Sequence, residues 1–496
     1  MAAIAVSETI RIVDTTVRDG HQSLWSANAL TTPMIAEAAP IIDRAGFHAV
    51  DFTSSTHMAM AVRWHREDPW ERLRVVSERM PRTRLGFITP GMRFMAWQRA
   101  PTEVMRLALR CVIRNGVRRI WVAESMNDVP AALRIARIAR EEGAEEVLVG
   151  LVYSLSPVHT DAYYAGRARA VAASPDVDVL NLKDPGGLLE PDRVRTLVPA
   201  LREAAPELPL EVHSHTTATM APLTYLEAAR LGARFVCTAA RPLANGTSQP
   251  STEQTVANLR AAGFAVDVDD EAVAELSAYF SVLARRLGRP EGRPLEYDVS
   301  IYRHQLPGGM TSTLRRQLAE VGQDHRWRDV LDELPRVRAE LGYPIMVTPL
   351  SQYVGVQAVL NVTTGQRWSQ IPDEVVRYVL GQYGEPPGEL DPDVRARVLG
   401  SPQAEALAAG ETPFDLDEAR ARFGDVSDEL LLLRMMLPAA QVDAMLADRP
   451  HRSRPPREHP LRTLVAGVTA RRELAEVAID APGVRLRATS HPEPAR

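Results

Sequence analysis

Between Arg11 and Thr238, short apolar, β-branched runs alternate with longer stretches in which apolar positions return every three or four residues. The short runs predict strands over 11–15, 49–53, 84–88, 119–123, 146–152, 177–182, 210–215 and 235–238. The longer stretches predict amphipathic helices between them, among others over 34–45, 103–115, 129–142, 191–205 and 220–231. Strand starts recur roughly every 25 to 40 residues, the repeat of a βα unit whose parallel neighbour needs a helical crossover. Eight such units predict an α/β protein built as a (β/α)8 TIM barrel, with its chemistry at the carboxyl ends of the strands. A doubly wound open sheet shares the local pattern. No Gly-x-Gly-x-x-Gly turn follows the first run, which weakens the dinucleotide-binding version.

After Pro290 helical periodicity takes over, at 311–321, 326–341, 349–363 and 373–383 and on to about Asp448. This predicts a second, mainly helical domain packed on the barrel. Segments 386–392 and 449–460 read as connectors, 462–489 as a small appended element, and 491–496 as an unstructured end. The expected division is a barrel over 1–290, a helical C-terminal domain over 291–448, and a linker with a small tail over 449–496.

A chain of 496 residues can bury a large core. Its net charge of −5, with no basic block, gives no sign of a nucleic-acid or anionic-membrane partner. Cys111 and Cys237 lie in apolar contexts and read as reduced core residues of a cytoplasmic protein. No stretch approaches 18 uncharged apolar residues, and the first eight residues lack a basic leader pattern, so a soluble, unexported chain without membrane insertion is expected.

Of the 58 basic residues only one, Lys183, is a lysine. Arginine replaces lysine readily on a solvated face but cannot lose its proton to attack carbon or form a carbamate with CO2. A chance survivor on a surface loop is the plain alternative. The setting favours chemistry: an apolar run ends at Lys183 and passes into Asp184-Pro-Gly-Gly187, a strand end followed by a turn.

Other polar groups fall at strand ends too. His213 and His215 are two apart on a predicted strand and share one face. With Asp19 after the first strand they make a candidate divalent-metal site, although His-x-His also occurs as a polar strand edge. Protonated, Lys183 would repel a metal; as a carbamate it would supply an anionic oxygen and, with Asp19, balance a 2+ charge. Thr247, after the last strand, reads as a proton shuttle or as the cap of a helix beginning near Ser251.

Several longer stretches carry a resemblance. They are Asp14-Thr-Thr-Val-Arg-Asp-Gly-His-Gln-Ser23, Glu67-Asp-Pro-Trp-Glu-Arg-Leu73, Ser156-Pro-Val-His159, Leu182-Lys-Asp184, His213-Ser-His215, Gly246-Thr-Ser-Gln-Pro-Ser251, Tyr302-Arg-His-Gln-Leu-Pro-Gly-Gly-Met310 and Val347-Thr-Pro-Leu-Ser-Gln352. In this order they resemble the carboxyltransferase component of biotin-dependent enzymes: pyruvate carboxylase, the oxaloacetate decarboxylase alpha subunit and the transcarboxylase central subunit. The resemblance implies a helical C-terminal domain forming a funnel over the barrel mouth, and a zinc, cobalt or manganese ion held by Asp19, carbamylated Lys183, His213 and His215. It further implies contacts from Arg18 and Gln22 to a 2-oxo acid, a proton shuttle at Thr247, and a homodimer. The implied reaction moves a carboxyl group between carboxybiotin and an acid of the pyruvate/oxaloacetate type. Biotin is attached to a lysine, and the one lysine is assigned to the metal. A separate biotin carrier protein is therefore expected, with biotin carboxylase or decarboxylase subunits as further partners.

The pocket departs from the family pattern. Pro90 stands where a second substrate arginine is usual, a loss of about 1.5–3 kcal/mol of binding if unreplaced. Arg93, three residues on, is the candidate replacement. Ser54-Ser-Thr-His57 replaces Gly-Gly-Ala-Thr, Asp184-Pro-Gly-Gly187 replaces Asp-Met-Ala-Gly, and Thr216 follows His215 where an acid is common. The competing readings are a metal-dependent aldolase or Claisen-type lyase, and an assembly subunit whose pocket has drifted.

Overall fold

The computed structural model describes residues 9–96, 98–408, 410, 413–452, 476–481 and 484–489. Eight parallel strands close into a barrel in chain order: β1 (Arg11–Asp14), β2 (Ala49–Ser54), β3 (Arg84–Thr89), β4 (Val117–Val122), β5 (Glu146–Val152), β6 (Val179–Asp184), β7 (Leu210–Ser214) and β8 (Ala233–Thr238). Closure is direct, since Asp14 pairs with Val50 on one side and Thr238 on the other. The protein is thus a (β/α)8 TIM barrel with a helical C-terminal part.

Nearly every strand residue is buried, as expected when helices cover the outside and side chains fill the inside. Alternation sends Leu180, Leu182 and Val212 outward, while Asn181, Lys183, Glu211 and His213 turn inward. Cys111 and Cys237 are free thiols in buried positions. Among the described residues no helix is long and apolar enough to cross a membrane.

The helical part has its own core, around Leu314, Leu334, Val354 and Val376. It meets the barrel at the carboxyl ends of β3, β4 and β5. Arg338 donates to the Leu155 carbonyl at 2.6 Å and to Ser154 Oγ at 2.8 Å, and Gln305 donates to Leu155 at 2.8 Å. Ser125 donates to the Thr348 carbonyl at 3.2 Å. By contacts, Met1–Met445 form one unit and Leu446–Arg496 a second. The helix Ala439–Arg452 continues into the segment expected to be a connector, helical past Pro450. In the second unit, Glu476–Ala481 and Val484–Thr489 pair antiparallel, within the span expected to form a small element. The rest of that connector, 453–460, and the end, 491–496, lie outside the described residues.

Candidate active site

β1 ends at Asp14 and the chain enters a π-helical turn, Thr16–Gly20, with all five residues buried. Asp14 fixes it, accepting from Thr16 Oγ1 at 2.5 Å and from the Thr16 N–H at 3.3 Å. The turn carries Arg18 and Asp19. Arg18 Nε donates to Asp51 Oδ2 of β2 at 2.7 Å, and Nη2 lies 3.3 Å from Asp19 Oδ2.

Two histidines reach the same Asp19 oxygen. His213 Nε2 is 3.0 Å from Oδ2 and His215 Nε2 is 3.3 Å away. One ligand atom from each of the three residues lies within 4.8 Å of the others, and all three side chains are buried. His215 Nδ1 is 2.6 Å from the Thr247 carbonyl. A carbonyl only accepts, so Nδ1 carries a proton, and in the neutral ring a metal ligand requires, Nε2 then holds the lone pair. Burial holds His213 neutral, pushing it down to about 3. For Asp19, burial alone would raise the carboxyl; the neighbouring Arg18 guanidinium is the main charge that instead holds it well below the usual range.

Lys183 pairs across the sheet with Val152 of β5 and His213 of β7. Its Nζ lies 5.0 Å from the Trp121 ring, which meets the His213 ring edge-on at 5.1 Å. Burial and then the Arg18 charge push the ammonium down to about 8, against the pull of Asp19 and Asp51. Such an amine is partly neutral at physiological pH and can attack CO2. Asp184, next in line, is structural. It accepts from the Leu188 and Leu189 N–H groups at 2.9 and 2.8 Å and from Ser214 Oγ at 2.7 Å. Gly187, at φ +67°, is required here, because a Cβ would lie 2.7 Å from the His215 carbonyl oxygen.

Thr247 is partly buried, and its Oγ1 donates to the Ser23 carbonyl at 2.7 Å. It is not a helix cap. Ser251 caps Thr252–Ala261, accepting from the Gln254 N–H. Gln22 is exposed, on the short helix His21–Trp25, outside the buried group. Arg93 turns toward Glu124 Oε1, 3.9 Å away, and lies over the Tyr383 ring at 5.7 Å. Ser54 caps the helix Ser55–Met60 by accepting from the His57 N–H, so this departure from the family pattern makes a local helix start.

Three residues of the site escaped the sequence reading: Asp51, Trp121 and Gln249. Gln249 Nε2 donates to Asp19 Oδ2 at 3.1 Å and lies 2.9 Å from His215 Nε2. It stands two residues after Thr247, in a stretch read only for its threonine.

A closed parallel barrel that gathers a carboxylate, two imidazoles and a lysine at the carboxyl ends of β1, β6 and β7 has the build of a (β/α)8 enzyme with a candidate cation site. Comparison with known proteins narrows that class. A family model described as HMGL-like matches residues 9–279, and one described as a conserved carboxylase domain matches 301–479. A pyruvate carboxylase subunit of Methanothermobacter thermautotrophicus is 36% identical over 394 residues, covering 79% of this chain and 68% of that one. The 2-oxoglutarate carboxylase large subunit of Hydrogenobacter thermophilus is 31% identical over 448 residues, covering 88% and 68%. Among solved structures, the carboxyl transferase domain of Rhizobium etli pyruvate carboxylase with oxamate and biotin aligns with a TM-score of 0.80 at 25% identity, over 90% of this chain and 78% of that one. The chain belongs to the carboxyltransferase family of the biotin-dependent carboxylases, and it is an enzyme of that family.

Proposed function

We propose that the chain transfers a carboxyl group between carboxybiotin, brought by a separate biotin carrier protein, and a 2-oxo acid of the pyruvate/oxaloacetate type. The meeting of Asp19, His213 and His215 beside the only lysine carries this reading. Two imidazole nitrogens and a carboxylate suit zinc, cobalt or manganese, and a carbamate on Lys183 adds an anionic oxygen. When bound, the ion polarises the oxo group of the acid and stabilises the negative charge that develops on it.

The chain's own residues do the rest. Arg18, braced by Asp51, offers its guanidinium to the acid's carboxylate, and Gln22 adds a contact from the rim. Thr247 carries a proton between the acid's methyl carbon and the biotin nitrogen. The buried walls keep water from the CO2 in transit. Lys183 is committed to the ion, so no other lysine of this chain is left to hold biotin. A biotin carboxylase or decarboxylase subunit charges or discharges the carrier. The enzyme works as a cytoplasmic homodimer, with chemistry in 1–290, a helical funnel over the mouth in 291–448, and an accessory tail in 449–496.

The test is oxaloacetate decarboxylation by the purified chain, with and without free biotin, beside Thr247→Ala. Biotin-stimulated turnover that the variant loses is expected. Cation uptake without turnover of oxaloacetate overturns the pyruvate/oxaloacetate assignment. A screen of longer 2-oxo acids then separates a different acceptor from the lyase reading.

A further inference from the structure

Gln249 is fully buried in the turn that follows β8, with its carbonyl pinned by the Asn245 N–H at 2.7 Å. Its Nε2 lies 3.1 Å from Asp19 Oδ2, 2.9 Å from His215 Nε2 and 3.4 Å from His213 Nε2. Its Oε1 accepts from Thr15 Oγ1 at 2.8 Å and from Ser248 Oγ at 3.2 Å.

Chemistry fixes which end of the amide faces which side. An ionised Asp19 oxygen can only accept. His215 Nε2 also accepts, because its Nδ1 proton is given to the Thr247 carbonyl. The group facing both must be the NH2. The other end meets two hydroxyls, each with a hydrogen to give. The Thr15 hydroxyl also reaches the Thr238 carbonyl at 2.9 Å, so its one proton is shared between that carbonyl and Gln249 Oε1 at 2.8 Å, and both acceptors tie Thr15 to the amide's side of the site. Asp19 Oδ2 and His215 Nε2, both lone-pair bearers, lie only 3.3 Å apart and would repel without a donor between them.

We infer that Gln249 is a positioning residue of the cation site: its NH2 holds Asp19 and His215 together until an ion takes the His215 Nε2 lone pair, keeps its bond to Asp19 afterwards, and is itself held by Thr15. This rests on the cation reading proposed above. It assigns to the residue that follows β1 and to the turn after β8 a role in metal affinity apart from the ligands themselves.

The test is calorimetric titration of the full chain with Co2+ in bicarbonate buffer, together with the visible spectrum of the bound ion. Gln249→Ala is expected to bind Co2+ about 10- to 100-fold more weakly, with a changed spectrum, the usual cost of losing a partner of a metal ligand. Thr15→Val, nearly equal in volume, is expected to shift affinity and spectrum in the same direction by a smaller factor. It carries the test if Gln249→Ala fails to fold. Wild-type affinity and spectrum in both variants overturn the inference, as does tighter binding, which would make Gln249 a competitor for the ligands' lone pairs. Failure of the unaltered chain to take up Co2+ overturns the cation reading itself, and the inference with it.

Discussion

Two polar layers lie within the same barrel, built from the same strands two residues apart. In the lower one, Arg119 of β4 pairs with Glu146 of β5 and, at 2.5 Å, with Glu211 of β7. Asn181 donates to Glu211 at 3.0 Å, and His48 pairs with Glu146 at 2.8 Å. In the upper one, Trp121, Lys183 and His213 occupy the next inward positions and meet Asp19 and Arg18. Each carboxylate of the lower layer faces a cation. Burial would lower Arg119 and raise Glu146, yet the Glu211 and Glu146 charges push Arg119 up, and His48 and Arg119 bring Glu146 down to about 2. In the upper layer several nitrogens crowd one Asp19 oxygen, His213 Nδ1 has no hydrogen-bond partner among the described residues, and the lysine is drawn down to about 8. One layer resolves its charges and holds the barrel together; the other keeps them in tension and is suited to chemistry.

The sharpest way to separate the layers is to remove a charge from each. Asp19→Asn is expected to reduce carboxyl transfer about a thousandfold or more. Its melting temperature should fall by less than that of Glu146→Gln, because Arg18 keeps Asp51 as a partner, as thermal unfolding of the metal-free chains would show. Glu146→Gln should do the reverse, sparing activity while destabilising the fold by about 3–5 kcal/mol at neutral pH, because it leaves part of a buried cation unpaired. Its pH dependence follows from the lowered carboxyl. The stabilisation is fully present above the ordinary value of 4.5 and is lost as pH falls toward about 2. About 3 kcal/mol of the gap between parent and variant should therefore close over that range, as denaturant midpoints at several pH values would reveal. Gly150→Ala tests the join between the layers. Its Cβ would lie 2.8 Å from Trp121 Nε1 and 3.2 Å from Asn181 Oδ1. Expected is a loss of about 1–3 kcal/mol in stability with a partial loss of activity, read by melting and assay together.

All eight strands were legible because strands buried on both faces read as β-branched runs. Their starts were less so. β4 and β8 begin two residues earlier than expected, at Val117 and Ala233, where arginines next to the turn glycines Gly116 and Gly232 hide the run. Pro450 made the end of the helix Ala439–Arg452 read as a linker. Asp19, His213 and His215 could be singled out because residue type and spacing alone point to metal chemistry. Gln249 and Asp51 could not. Their roles depend on which strands closure brings together, and an amide or a strand carboxylate has no local signature. The Arg119–Glu211 pair, 92 residues apart, was hidden for the same reason.

The most direct measurement is the carbon-13 NMR spectrum of the chain kept in labelled bicarbonate, read beside its metal content, for the parent and for Lys183→Arg. Expected is one carbamate resonance in the parent, lost together with the metal in a variant that still folds. Full metal content in Lys183→Arg, or a metal-loaded parent with no carbamate signal, would contradict the assignment of the single lysine to the metal site.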